Sequence, residues 1–236
     1  MIKMKVLLFA SAIIAGSVVV NAQQKKWEDI GTDGFFTKDS IKQGKYTLIF
    51  INKDSAFSLV TKQRMIDAFF KVYPEEVKRF NKKSLQKVVF VIDSAYKGVA
   101  ATSNGIVKYS PEWFFKHPED IDVVTHEVMH IVQDYKGQGP GWVTEGIADY
   151  VRYKYGVNNE KGNWSLPDVK PAHNYDNAYR VTARFFVWIE KNKNKSFVDE
   201  MNKHMREGTY KPELWKQLTG MPVDELWKAY VANPAI

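Results

Sequence analysis

The chain has 236 residues, a formal charge of +7, 14% aromatic residues and no cysteine. Without cysteine there are neither disulfides nor thiolate metal sites, so a metal would have to be held by His, Asp or Glu. The lysines are scattered ("NKK", "KNKNK") rather than gathered in a stripe, so the surface suits acidic neighbours and no nucleic-acid partner is expected.

Lys3 and Lys5 precede a continuous apolar run, Val6–Val20, and Val20-Asn21-Ala22 fits a signal-peptidase site. Residues 1–22 are therefore expected to be a signal peptide, cleaved before Gln23. The competing reading is an uncleaved anchor, although the run is near the short end for a span. Cleavage implies export to the periplasm or the medium, with no lipid anchor because no Cys follows, and no membrane association afterwards. Losing Lys3 and Lys5 takes the charge from +7 to +5. About 214 residues remain, the size of one sizeable core, and a monomer is expected.

Residues 23–45 are polar and read as an exposed lead-in to a single domain over 46–236. Lys45–Asn52 has the β-branched and aromatic content of a strand. From Thr61 to Asn81 apolar residues recur at helical spacing, with Pro74 expected to kink the helix or start a second piece. Lys87–Asp93 reads as a buried central strand. Gly98–Ser110 carries a hairpin with Asn104-Gly105 as its turn. Pro118–Gly137 reads as a helix with acidic residues in its first turns and Gly137 as its stop. A second helix spans about Trp142–Tyr155 and stops at Gly156. The 18 residues after it form a loop, which in a compact domain is more often functional than idle. Helices at Asp176–Asn192, Ser196–Arg206 and Val223–Val231 complete an α+β arrangement, a small N-terminal mixed sheet followed by a mainly helical half.

The helix at Pro118–Gly137 holds "THEVMH", in which His126, Glu127 and His130 spell H-E-x-x-H. Residues i and i+4 share a helix face, so two imidazoles can meet at one point, and Glu127 reaches the same side to polarise a water. Catalytic zinc sites take three protein ligands and keep a fourth position open. Glu145 lies fifteen residues after His130 and Asp149 follows one turn later. Either acid could ligate while the other holds an imidazole; Glu145 is the favoured third ligand and Asp149 the orienting partner. Gly146 and Ala148 beside them would let the two helices approach closely. Three polar groups in an otherwise apolar helix would be costly to bury unpaired, and a Zn²⁺ ion removes that cost. A di-iron site is excluded because no second E-x-x-H is present. His173, Tyr175, Tyr179 and Arg184 are candidates for stabilising an oxyanion, Tyr179 foremost, although a half-buried core tyrosine fits it equally. The hairpin strand "GIVKYS" is a candidate sheet edge for an extended peptide.

The blocks "GVAATSNGIVKYSPEWF", "THEVMHIVQDYKGQGPGWVTEGIADYVR", "AYRVTARFFVWIE" and "MREGTYKPELWKQLTGMPVDELWKAY" resemble the basic secretory protein family, secreted peptidases of plants and bacteria. The likeness runs over about Thr47–Tyr230. It implies a zincin-like metallopeptidase acting on peptides or proteins, with the family's metal positions on His126, Glu127 and His130. It also maps the "EGIADY" block onto Glu145–Tyr150 and the family's tyrosine onto Tyr179. Arg180 departs from the Asp found in family members and reverses a charge near the site. The rival readings are an exported binding protein with non-catalytic zinc and a zinc amidase acting on cell-wall peptides.

Overall fold

The computed structural model describes residues 34–236 apart from 136 and 138, so the expected signal peptide lies outside the described residues. Five strands form one mixed sheet in the order β1-β2-β3-β5-β4. In it β2 (Tyr46–Asn52), β3 (Lys87–Ile92) and β5 (Ile106–Tyr109) run parallel. The two edges, β1 (Thr37–Gln43) and β4 (Ala100–Ser103), are antiparallel to their neighbours. The expected lead-in thus gives way to ladder pairing from Thr37, with side chains that stay largely exposed. β3 is central, with Val88, Phe90, Val91 and Ile92 fully buried, as its unbroken apolar run requires. The β4–β5 turn follows the Asn104-Gly105 expectation, with φ of 48° and 76°, the left-handed pair a two-residue hairpin needs.

The expected edge strand is corrected: β5 is interior, and the free edge beside it is β4. Strand order depends on a crossover between β3 and the hairpin, which no local pattern encodes.

α1 (Leu59–Phe80) starts at Ser58, whose hydroxyl accepts the Thr61 N–H at 3.2 Å. It continues through Pro74 as one helix rather than breaking. Met65, Phe69, Val72, Tyr73, Val77 and Phe80 are buried on both sides of the proline and hold the two halves together. Phe69 meets Phe90 of β3 edge-on at 5.5 Å, and Tyr73 meets Tyr46 of β2 at 5.4 Å.

After the short α2 (Pro111–Lys116), α3 covers Val123–Gln133, a shorter span than Pro118–Gly137. The acidic residues expected in its first turns are drawn into tertiary bonds instead. Glu119 pairs with Arg64 at 2.8 Å, and Asp120 pairs with Arg152. Asp122 accepts the backbone N–H groups of Val157 and Asn158 at 2.7 and 2.6 Å. The helix stops at Asp134 in the left-handed region, before Gly137. Gly139, at φ 103°, completes the reversal, and a Cβ there would overlap Met205. α4 (Gly141–Tyr155) then ends at Gly156 as the sequence predicts.

A 3-10 turn at Tyr175–Asn177 precedes α5 (Tyr179–Asn192), so this helix begins later than Asp176. α6 (Phe197–Glu207), an unanticipated α7 (Leu214–Thr219) and α8 (Val223–Ala232) follow. Phe185 anchors α7 and α8, with Trp215 stacked at 6.2 Å and Trp227 edge-on at 5.1 Å, and Phe186 meets Phe197 of α6 at 5.5 Å. Gly146 faces this layer: an added Cβ would overlap Thr182 and press on Phe186 of α5. The close approach it permits is therefore between α4 and α5, not between α3 and α4. The whole is an α+β fold, and among the described residues no helix is long and apolar enough to cross a membrane.

Candidate active site

α3 and α4 meet in opposite directions, with Asp120 against Arg152, His126 against Asp149, His130 against Glu145 and Gln133 against Thr144. This seam forms the floor of a cleft of about 1150 Å³ walled by the β4 edge, Tyr179 and the stretch Gly162–Trp164.

At its centre His126 Nε2, His130 Nε2 and Glu145 Oε2 form a triangle. The His126–Glu145 and His126–His130 distances are 3.2 Å and the His130–Glu145 distance is 3.5 Å. Zinc bonds to N and O of about 2.0–2.1 Å separate tetrahedral ligand atoms by about 3.3 Å, so the donor spacing fits such an ion. His126, His130 and Glu145 are also the group of the described residues able to hold a metal.

The far side of each imidazole reinforces this arrangement. His126 Nδ1 lies 2.7 Å from Asp149 Oδ1. His130 Nδ1 lies 2.7 Å from Gln133 Oε1, and Gln133 Nε2 donates to the Thr144 carbonyl at 2.9 Å. That second bond fixes which end of the amide is the acceptor, so His130 must carry its proton on Nδ1. With both Nδ1 atoms donating outward, both Nε2 atoms turn lone pairs towards Glu145. Three electron-rich atoms at this separation require a positive charge between them.

The electrostatics agree. Burial disfavours a charged His126, yet Asp149, Glu145 and Glu127 together push its pKa up to about 10, so without a metal a proton takes up the positive charge. Burial likewise opposes ionised Glu145, but its bonds to His126 and His130 hold it well below the carboxylate range.

Glu127, 7% exposed, reaches the same space from α3. Its Oε2 accepts the Thr102 hydroxyl at 2.6 Å, and the same hydroxyl lies 3.0 Å from its backbone oxygen, which ties the carboxylate to the β4 edge. Tyr179 stacks on His126 with ring centres 6.1 Å apart and 19° between planes. Ala178 and Tyr179 both have positive φ, 62° and 48°, uncommon for residues with a Cβ and a local strain at the cleft. Glu145, then burial, Asp149 and Glu127 raise the Tyr179 pKa, so its phenol stays a donor. Arg180 also lines the cleft.

The other oxyanion candidates lie elsewhere. His173 accepts the Lys170 N–H, Tyr175 donates to Asp224 at 2.9 Å, and Arg184 donates to Asp168 and to the Pro234 carbonyl. Two further residues, Gln133 and Thr102, belong to the site. Gln133 stands three residues after His130, a spacing readable on a helix as one more polar break in an apolar face. Thr102 has no local signal, because its tie to Glu127 spans 25 residues.

The family described as "Peptidase of plants and bacteria" matches residues 37–230. Among solved structures, the chain is similar to a two-domain M1 zinc metallopeptidase mutant bound to L-tryptophan (TM-score 0.51, 12% identity, 85% of this chain and 52% of that one). The same enzyme type bound to L-arginine gives a TM-score of 0.52 at 12% identity, over 83% of this chain and 51% of that one. An aminopeptidase N family protein from Idiomarina loihiensis gives 0.51 at 8% identity, over 85% and 47%. These likenesses concern the fold, and the chain spans about half the length of the structures it matches. No curated protein matches the sequence.

Proposed function

The chain belongs to the family of peptidases of plants and bacteria, and from that premise we propose that it is a zinc-dependent peptidase centred on His126, His130 and Glu145. The observation that carries this reading is the 3.2–3.5 Å triangle of donor atoms with both imidazoles oriented from behind. A zinc ion bound there supplies Lewis acidity, lowering the pKa of a water and polarising the scissile carbonyl.

The protein's own groups carry the remaining steps. Glu127, steadied by Thr102, accepts the proton of the attacking water and delivers it to the leaving amine. Asp149 and Gln133 hold the two imidazoles in the tautomer that leaves Nε2 free. Tyr179 donates its phenolic hydrogen to the developing oxyanion.

The substrate backbone pairs with β4. Ser110 N–H donates to the Val99 carbonyl at 3.0 Å, so Val99, Ala101 and Ser103 bond towards β5 in the alternating antiparallel ladder. Ala100 and Thr102 then turn their backbone groups to the open edge. The Ala100 carbonyl is already taken by the Tyr96 hydroxyl at 2.8 Å, which leaves Thr102 as the centre of strand pairing.

Residues 1–22 serve as an export signal for one peptidase domain, and a mature protein whose mass begins at Gln23 would bear this out. The decisive experiment is metal analysis of purified protein beside peptide cleavage, with Glu127→Gln as control. Stoichiometric zinc, chelator-sensitive cleavage and a Glu127→Gln protein that keeps zinc but loses activity are expected. A protein that binds no zinc, or a Glu127→Gln variant that still cleaves, overturns the proposal.

A further inference from the structure

The cleft extends past Glu127 towards the start of α3, and there its lining changes character. Val123, one turn before Glu127, begins this end. Trp113 of α2 packs against His117 with ring centres 4.1 Å apart. Trp164, from the irregular stretch after α4, lies 4.5 Å from the Arg152 guanidinium. Trp113, His117 and Trp164 all face the same cleft.

The charged groups in contact with these indoles are Asp120 and Arg152, both buried and both committed. One Asp120 oxygen accepts from Arg152 and the other accepts the Trp113 indole N–H at 2.9 Å. Arg152 also donates to the Asn159 side chain at 3.2 Å. This chain of bonds locks both indoles in place: Asp120 holds the Trp113 edge, and Arg152 lies against the Trp164 face. A charged side chain entering here would lose its hydration and find its counter-charge already paired. An aromatic side chain would find ring faces and edges already ordered, with little further loss of freedom on binding.

We propose that this end of the cleft is a specificity subsite taking an uncharged aromatic side chain from a substrate residue flanking the scissile bond, with Trp113 and Trp164 as its selective walls. The inference rests on the peptidase reading and names its preferred substrate class. Arg152, Asp120 and Asn159 act as positioning residues for those walls.

The test uses the mature zinc-loaded protein and a peptide series varied at single positions among Phe, Trp, Leu, Ala, Glu and Lys. At one position flanking the cleaved bond, Phe or Trp should exceed Glu and Lys by at least about tenfold in kcat/KM, with Leu between. Trp164→Ala should cut the Phe-over-Ala ratio about tenfold, and Trp164→Phe should restore most of it. A ratio measured within one variant does not depend on how much of it is correctly folded. As an independent readout, peptides with Phe at that position should shift the tryptophan emission of the Glu127→Gln protein to shorter wavelength, and their Glu counterparts should not. Cleavage indifferent to aromatic residues, or a ratio unchanged in Trp164→Ala, overturns the subsite while leaving the peptidase reading intact. Failure to cleave any peptide overturns both.

Discussion

Replacing Gln133 by Leu removes a residue that touches no metal, yet it should loosen metal binding. The side chain is 1% exposed and makes two bonds, accepting from His130 Nδ1 at 2.7 Å and donating to the Thr144 carbonyl at 2.9 Å. Leucine keeps most of the volume and removes both. The Thr144 carbonyl retains its place in the α4 ladder, so the larger consequence falls on His130. An imidazole N–H left buried without an acceptor costs about 1–3 kcal/mol. His130 escapes that cost by moving its proton to Nε2, where a lone pair is needed for the metal. Zinc affinity should therefore fall about 10–100-fold, or about 1.4–2.7 kcal/mol. Competition with a chromophoric chelator measures this, with circular dichroism to verify the fold. Gln133→Glu separates orientation from packing: it restores the acceptor for His130 but loses the donor to Thr144, so affinity should recover although stability does not. A folded Gln133→Leu protein with undiminished zinc affinity would refute the argument that this bond sets the tautomer.

Thr102→Val should leave zinc content and KM near wild type while lowering kcat roughly tenfold, since it removes a bond to the Glu127 carboxylate, and Thr102→Ser should recover most of the loss. Steady-state kinetics on one peptide decides between this and a purely structural role. Gly146→Val should destabilise the fold by about 1–3 kcal/mol, because the new side chain meets Thr182 and Phe186, and an unchanged urea midpoint would contradict that packing. Glu76 is fully buried with both carboxylate oxygens unpartnered, and burial raises its pKa well above the ordinary 4.5 in spite of His126. The folded protein thus holds this proton more tightly than the unfolded chain, so stability is fully present below pH 4.5 and falls as pH rises towards the folded pKa. Glu76→Gln should remove that dependence, giving a melting temperature above wild type at pH 8 and a gap that closes towards pH 4.5. A gap that widens on acidification would show the sign to be wrong.

Much of the site was legible because its grammar is local. Helical period places His126, Glu127 and His130 on one face, and the i,i+4 step from Glu145 to Asp149 matches the rise between the two imidazoles on an antiparallel neighbour. The turn chemistry of Asn104-Gly105 and the stop at Gly156 are local for the same reason, as each is set by the backbone needs of one or two residues. Composition also determined that a metal must be held by nitrogen and oxygen, since no thiolate is available.

What the tertiary structure alone decided is every pairing between distant segments. It put β4 rather than β5 at the open edge, because strand order follows a crossover whose hand and length the hairpin does not encode. It gave Asp149 to His126 and Gln133 to His130, and it turned Gly146 towards α5. The acidic run Glu119–Asp122 reads as a helix start, but its carboxylates are bonded to Arg64, Arg152 and the backbone at Val157 and Asn158. Local propensity for a helix is worth a few tenths of a kcal/mol per residue, and the buried bonds of Asp120 and Asp122 outweigh it. Those same bonds bring Trp113 and Trp164, 51 residues apart in sequence, to one end of the cleft.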